Sequence, residues 1–293
     1  MSRQVTIGGL RIGGGAPVAV QSMAKTPTHE VEATVDQIHQ LEAEGCELVR
    51  VAVPNRRAAR ALGRIRPRVR IPLVADVHFN AELALLALDQ GADALRVNPG
   101  NIPPERLRWL ARQLAPRGVV VRIGVNAGSL PPQVLRAHGG PTAEALVETA
   151  LQAVRLFEAE GAGALKVSLK SSDVATTVRA YRLMARASDH PLHLGVTEAG
   201  PLMQGCIRSA LAMGALLAEG IGDTIRVSLT AHPVWEVRAG YEILRSLGLR
   251  QRGVQLISCP TCGRCRVDLE GVVAEAEGRL RAVERPLKVA IMG

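Results

Sequence analysis

The feature that most constrains this chain is an eightfold alternation of short and long periods. Apolar runs of strand length stand at 18–23, 48–53, 73–79, 94–98, 119–125, 165–170, 192–197 and 225–230. Most are followed by a stretch with helical spacing, as in Val31, Val35, Ile38 and Leu41, or Ala145, Thr149, Ala153 and Leu156. Gly45, Gly91, Gly161 and Gly220 close several of these helices a few residues before the next strand. Eight strand–helix units predict an α/β fold, a closed (β/α)8 TIM barrel. An open doubly wound sheet is the competing architecture, but no dinucleotide-type glycine fingerprint follows the first strand. Gly13, Gly14 and Gly15 precede that strand. With residues 5–12 they predict a hairpin that plugs the base of the barrel.

Composition agrees with buried parallel strands. Aromatic residues are only 2% of the 293, so the core must rest on Leu, Val, Ile and Ala. The same scarcity argues against a stacking surface for single-stranded nucleic acid. No apolar run is long enough to span a membrane, and no secretory signal opens the chain, so a cytoplasmic protein is expected. The formal net charge is +9, much of it from arginine. Arginine on helix surfaces would account for this without function; arginine gathered at one site would mean an anion.

Beyond residue 249 the pattern changes. Residues 251–253 read as a linker, followed by a strand at 254–258, a cysteine turn, a helix at 269–283 and a strand at 287–292. The expected organisation is therefore a substrate-binding barrel over 1–250 and a small α/β domain over 251–293.

In a barrel, chemistry gathers where strands end and the following loops begin. Those places carry Gln21-Ser22-Met23, Arg50, Asp76 with His78, Arg96 with Asn98, Arg122 with Asn126, Lys166-Val167-Ser168-Leu169-Lys170, Thr197-Glu198, and Arg226, Ser228 and Thr230. Strand alternation puts Arg96 and Asn98 on one face, and Arg226, Ser228 and Thr230 on another. Arginine inside a barrel needs a partner. Salt bridges to Asp76 and Glu198 would be the structural explanation. Cations outnumber carboxylates, however, so Arg50, Arg96, Arg122, Lys170 and Arg226 predict a polyanionic ligand, most simply a diphosphate. Glu198, a carboxylate among these cations, is the candidate acid–base residue. His78 is a candidate hydrogen-bond donor to the ligand.

Five cysteines are present, and Cys259, Cys262 and Cys265 lie together in one turn. A Cys-x-x-Cys turn directs two thiolates at one centre. A zinc site lacks a second ligand pair, and a thioredoxin-type pair lacks its surrounding domain. Soft thiolates beside a phosphate-binding barrel favour an iron–sulfur cluster. Cys46 and Cys206 read as buried small apolar residues.

Taken in order, Val20-Gln21-Ser22-Met23, Val49-Arg50-Val51-Ala52-Val53-Pro54 and Ala75-Asp76-Val77-His78-Phe79 form the first part of a specific pattern. Arg96-Val97-Asn98-Pro99-Gly100-Asn101 and the segment from Arg122 to Ser129 continue it. It closes with His193 to Gly200, Gly222 to Thr230, and Cys259-Pro260-Thr261-Cys262-Gly263-Arg264. This pattern covers nearly the whole chain and resembles the 4-hydroxy-3-methylbut-2-enyl diphosphate synthases of the non-mevalonate isoprenoid route. The resemblance implies reductive ring opening and dehydration of 2-C-methyl-D-erythritol 2,4-cyclodiphosphate. It implies a [4Fe–4S] cluster fed by ferredoxin or flavodoxin, and a homodimer in which one subunit's cluster domain caps the other's barrel. By motif position, the diphosphate ligands fall on Arg50, Arg96, Arg122, Asn126, Lys170, Arg226 and Ser228, and the acid–base carboxylate on Glu198. Two cluster ligands fall on Cys259 and Cys262. The family's third cysteine and its glutamate ligand would follow Gly293, so a shortened chain that holds cluster poorly is expected. An inactive barrel that still binds a phosphate ester, and a pterin-binding barrel, are the alternative functions; the cysteine turn argues against the second.

Overall fold

The computed structural model describes every residue except 79, 281, 282 and 284. The expected strand end at Phe79 and part of the expected helix 269–283 therefore lie outside the described residues. The chain divides into two compact units, Met1–Ile243 and Leu244–Gly293.

The first unit is the barrel. Its strands are β3 (Ala19–Met23), β4 (Leu48–Ala52), β5 (Leu73–Val77), β6 (Ala94–Val97), β7 (Val120–Asn126), β8 (Leu165–Lys170), β9 (His193–Leu194) and β10 (Thr224–Ile225). They form one parallel sheet in the order β8-β7-β6-β5-β4-β3-β10-β9. A bridge between Val167 and Leu192 joins the two ends of that order, and Val167 N donates to Pro191 O at 2.9 Å. The ring is thus closed, as the eightfold alternation predicts. Helices α1 (Val31–Ala43), α2 (Arg56–Ile65), α3 (Ala81–Asp89), α4 (Pro104–Leu114), α5 (Pro132–His138), α6 (Ala143–Ala159), α7 (Val174–Ala187), α8 (Leu202–Ala218) and α9 (Val234–Ser246) follow the strands. Asn55, Asn80, Thr142 and Asp173 cap α2, α3, α6 and α7 through their side chains, which satisfies amide groups that each helix start leaves open.

The hairpin β1 (Val5–Ile7) and β2 (Leu10–Ile12) is antiparallel. Its Ile7 and Ile12 are buried against Ala19, Leu48, Val74, Ala94 and Val120, near the N-terminal ends of the barrel strands. The base is therefore stoppered with aliphatic side chains, and ligand access is confined to the opposite mouth.

Two strands are much shorter than the sequence suggests. The run 192–197 keeps regular pairing only at His193–Leu194, and the run 225–230 only at Thr224–Ile225. Gly195 marks a close approach just past that point: a Cβ there would lie 2.6 Å from Arg226 O and 2.7 Å from Lys170 Nζ, so only glycine lets the two backbones and the ammonium come together. Arg226, Ser228 and Thr230 accordingly stand on extended chain beyond β10. Their alternation persists, with Val227 and Leu229 buried between them. Asn98 likewise lies just past β6.

In the second unit β11 (Val254–Ser258) pairs in parallel with β12 (Leu287–Ile291), and α10 (Leu269–Leu280) lies between them in sequence. Among these described residues the strands agree closely with expectation, and Leu269 is buried.

Candidate functional site

Parallel register stacks the polar residues inside the barrel. Asp76 on β5 is opposite Arg96 on β6, Arg96 opposite Arg122 on β7, and Arg122 opposite Lys166 on β8. Two same-face positions nearer the mouth, past Gly124 and Ser168, Asn126 stands opposite Lys170. The same side of each strand faces the interior, so one layer carries three cations and a single carboxylate. Above it lies a cavity of about 220 Å³. It is lined by Met23, Val196 and Thr197, and by the site residues Arg50, Asp76, His78, Arg96, Arg122, Asn126, Lys170 and Arg226.

Asp76 is the anchor of one wall. Its carboxylate lies 3.1 Å from Arg96 Nη1, 3.4 Å from Arg50 Nε and 3.3 Å from His78 Nε2. Burial works to raise the Asp76 carboxyl; the charges of Arg50 and Arg96 and the His78 contact overcome it and hold the group well below the usual carboxylate range. Arg50 also donates from Nε and Nη2 to Met23 Sδ at 3.1 and 2.9 Å. Arg96 Nη2 donates to Gly124 O at 3.0 Å. A Cβ on Gly124 would lie 2.6 Å from Arg96 Nε, so this strand glycine clears the space for the guanidinium. His78 is half-exposed and is also 3.4 Å from Asn101 Nδ2 through its other nitrogen.

The opposite wall is under-compensated. Arg122 is buried, donates to Ser168 Oγ at 2.9 Å, and leaves Nε and Nη2 with no partner among the described residues. Lys170 is buried, and its ammonium forms no ion pair among the described residues. Burial first, then repulsion from Arg50 and Arg96, lowers the Arg122 guanidinium; burial and then Arg122, Arg226 and their neighbours push the Lys170 ammonium well down. Buried His193, both of whose ring nitrogens lack a partner among the described residues, is pushed down by burial and then by Arg122, Lys170 and their neighbours. Lys166, below the cavity, is pushed to about 7 by burial and by Arg122, and donates to Thr224 Oγ1 at 3.1 Å. Burial is the first cause of each shift and the neighbouring cations are the second. An oxyanion in the cavity would offset the charge of Arg122 and Lys170, which line it, and would supply acceptors for the idle Arg122 nitrogens.

Sequence reasoning brought together the cationic wall but missed one carboxylate. Glu236, in the first turn of α9, is fully buried and lies 3.1 Å from Arg226 Nη2. An acidic residue in a helix's first turn ordinarily complements the helix dipole, so nothing in its position distinguishes it. Arg226 Nη1 donates to Ser228 Oγ at 2.7 Å, which places Ser228 beside the cavity. Glu198, the expected acid–base residue, forms no ion pair among the described residues, so the salt bridges that a structural explanation of the arginines would need are not made there. Glu198 is exposed, one residue past the cavity-lining Thr197, and its backbone is left-handed at φ +53°. That conformation is strained for a non-glycine residue and is typical of functional turns.

All five cysteines are free. Cys46 is buried, with its thiol pushed up to about 12 by burial. Cys206, expected to be buried, is only half-buried on α8. In the second unit Cys259 N donates to Ile291 O at 3.1 Å, and the turn reverses through Thr261 at φ +63°. Hydrogen bonds from the backbone and side chain of Arg264 lower the exposed Cys262 thiol, which favours the thiolate. Cys265 Sγ instead contacts Val267 O at 3.3 Å. Thiolate chemistry suits a soft metal, yet no group of three or more His, Cys, Asp or Glu gathers among the described residues. The residues present therefore do not complete a four-ligand iron–sulfur site.

Comparison with known proteins places this geometry in a family. The GcpE TIM-barrel domain profile matches residues 2–241, and the GcpE protein C-terminal domain profile matches 255–293. The 4-hydroxy-3-methylbut-2-en-1-yl diphosphate synthase (flavodoxin) of Thermodesulfovibrio yellowstonii is 52% identical over the whole chain, which covers 84% of that protein. The synthase of the same description from Geobacter sulfurreducens is 53% identical, with 83% covered. Among solved structures, Yersinia pestis dihydropteroate synthase superposes with a TM-score of 0.59 at 16% identity, covering 85% of this chain and all of that one. A Thermotoga maritima phospho-2-dehydro-3-deoxyheptonate aldolase gives 0.56 at 12% identity, covering 84% and 72%. Those two share the barrel fold; the sequence matches over the full length go further. The chain belongs to the GcpE family of 4-hydroxy-3-methylbut-2-en-1-yl diphosphate synthases.

Proposed function

We propose that the barrel mouth binds 2-C-methyl-D-erythritol 2,4-cyclodiphosphate and that the chain serves its reductive opening and dehydration to 4-hydroxy-3-methylbut-2-enyl diphosphate. The observation that carries this reading is the cavity itself: five cationic side chains line it, of which Arg50 and Arg96 share Asp76 and Arg226 pairs with Glu236, while Arg122 and Lys170 pair with no carboxylate among the described residues. Arg50, Arg96, Arg122, Lys170 and Arg226 supply charge, and Asn126 and Ser228 supply uncharged hydrogen bonds, for two linked phosphoryl groups. Asp76 orients Arg50 and Arg96. His78 stands at the half-exposed edge, where a ligand oxygen would meet it. The overall change balances when two electrons and two protons enter, a ring carbon–oxygen bond opens and one water leaves. Glu198, on its strained turn beside Thr197, is the carboxyl that delivers a proton to the departing oxygen. The barrel domain proposed over 1–250 holds the substrate, and 251–293 the cysteine turn.

A [4Fe–4S] cluster, when bound, supplies the electrons; Cys259 and Cys262 would hold it. The descriptions of the relatives carry the word flavodoxin, which supports flavodoxin as donor in preference to ferredoxin. A cytoplasmic homodimer is the proposed state. Met203, Ile207 and Leu211 form an exposed apolar stripe along α8 that supports self-association, and no helix among the described residues is long and apolar enough to cross a membrane.

Two measurements test the reading. Glu198→Gln should leave cyclodiphosphate affinity near that of the parent while abolishing product formation; normal turnover by the variant refutes the proton-transfer role. Anaerobic reconstitution should load iron that depends on the Cys259–Cys262 pair, so Cys259→Ser should hold less iron per chain than the parent. Iron content unchanged by that substitution refutes the role given to the pair.

A further inference from the structure

We propose that Glu236 is a positioning residue of the anion site: it fixes Arg226 in the orientation that grips a diphosphate. The inference rests on reading the cavity as a diphosphate site. Glu236 sits at the centre of a buried knot. Its Oε1 accepts from Arg226 Nη2 at 3.1 Å and from the backbone N–H of Leu229 at 3.2 Å, and lies 3.1 Å from Lys25 Nζ. Its Oε2 accepts from Ser22 Oγ at 3.0 Å and is also 3.1 Å from Arg226 Nη2. Lys25 in turn donates to Leu229 O at 2.6 Å and to Ala231 O. One carboxylate thus ties the end of β3, the chain after β10 and the start of α9, all at the mouth.

The geometry goes beyond charge balance. Arg226 Nη2 is shared between both carboxylate oxygens, and Nη1 is held by Ser228 Oγ. The guanidinium plane is therefore fixed at two corners, while the buried Nε has no partner among the described residues. A fixed fork matches bridged phosphoryl oxygens better than a single phosphate, because the spacing of its donors is set before the ligand arrives. A carboxylate that only compensated charge would act differently. Removing its charge would free Arg226 electrostatically and strengthen anion binding. The two roles predict opposite signs.

The test is calorimetric titration of the full chain, and of its Glu236→Gln and Glu236→Asp variants, with inorganic diphosphate and separately with inorganic phosphate. The thermal midpoint of each protein is recorded alongside. Both variants should bind diphosphate roughly tenfold or more weakly than the parent, with a smaller preference for diphosphate over phosphate. Tighter binding by Glu236→Gln, with the preference intact, overturns the proposal in favour of simple charge compensation. If Glu236→Gln does not fold, Glu236→Asp decides alone: it keeps the charge but cannot reach all the donors, so parental affinity and preference would overturn the proposal. A parent chain indifferent to diphosphate overturns the anion-site reading itself, an outcome distinct from any failure confined to the variants.

Discussion

Arginine occurs in two settings in this barrel, and they obey different rules. On the outer ring arginines pair with carboxylates in solvent: Arg68 with Glu32, Arg106 with Glu82, Arg117 with Asp89, Arg179 with Glu144 and Arg182 with Glu219. Many of these pairs link neighbouring helices. Water screens them, so each adds little and none calls for a ligand. Inside the mouth, Arg50 and Arg96 share Asp76, and Arg122 has no carboxylate. There the low dielectric magnifies every unmatched charge. The same residue type is thus stitching in one place and an unsatisfied demand in the other. Net charge alone could not distinguish the two; burial and carboxylate supply do.

Disturbing the inner set should produce the largest effect, and with opposing signs. Arg122→Met should weaken cyclodiphosphate binding by at least about a hundredfold, since a buried fork to phosphate is lost. In the ligand-free protein the same change should raise stability by about 1–3 kcal/mol, because it removes an uncompensated buried charge. Calorimetric titration and denaturant unfolding measure the two sides. Loss of binding together with loss of stability would mean that Arg122 is structural.

A smaller effect should appear in pH dependence. In the free site, burial and neighbouring cations lower the Lys170 ammonium well below its usual value. A bound dianion raises it again, so binding takes up protons wherever the free-site lysine is neutral. Affinity should then be highest below the free-site value and should fall as pH rises from there towards the ordinary lysine range. Titration in two buffers of unlike ionisation enthalpy counts the protons; proton release on binding would reverse the argument. The smallest effect belongs to the outer ring. Arg106→Ala should leave cyclodiphosphate affinity unchanged and the thermal midpoint within about 2 °C of the parent. A large loss in either would erase the distinction between the two settings.

The fold was legible because a closed barrel repeats one pattern eight times, and each strand buried on both faces writes a continuous apolar run. The limits of the seventh and eighth strands were not legible. Apolar sequence continues past Leu194 and Ile225, where regular pairing ends, so the apolar run alone does not mark the boundary. The cations of the site were legible because arginine inside a strand is anomalous. Glu236 was not, because a glutamate in a helix's first turn is ordinary until a fold places it against Arg226 from the extended chain after β10. Glu198 was found by residue type and place; that its backbone is left-handed could not be read from neighbours that include no obligatory turn residue at that position.

The most direct test of the central claim is calorimetric titration of this chain with 2-C-methyl-D-erythritol 2,4-cyclodiphosphate. The account predicts one site per chain, proton uptake on binding, and collapse of affinity in Arg122→Met. Absence of binding, or binding that survives that substitution undiminished, would contradict it.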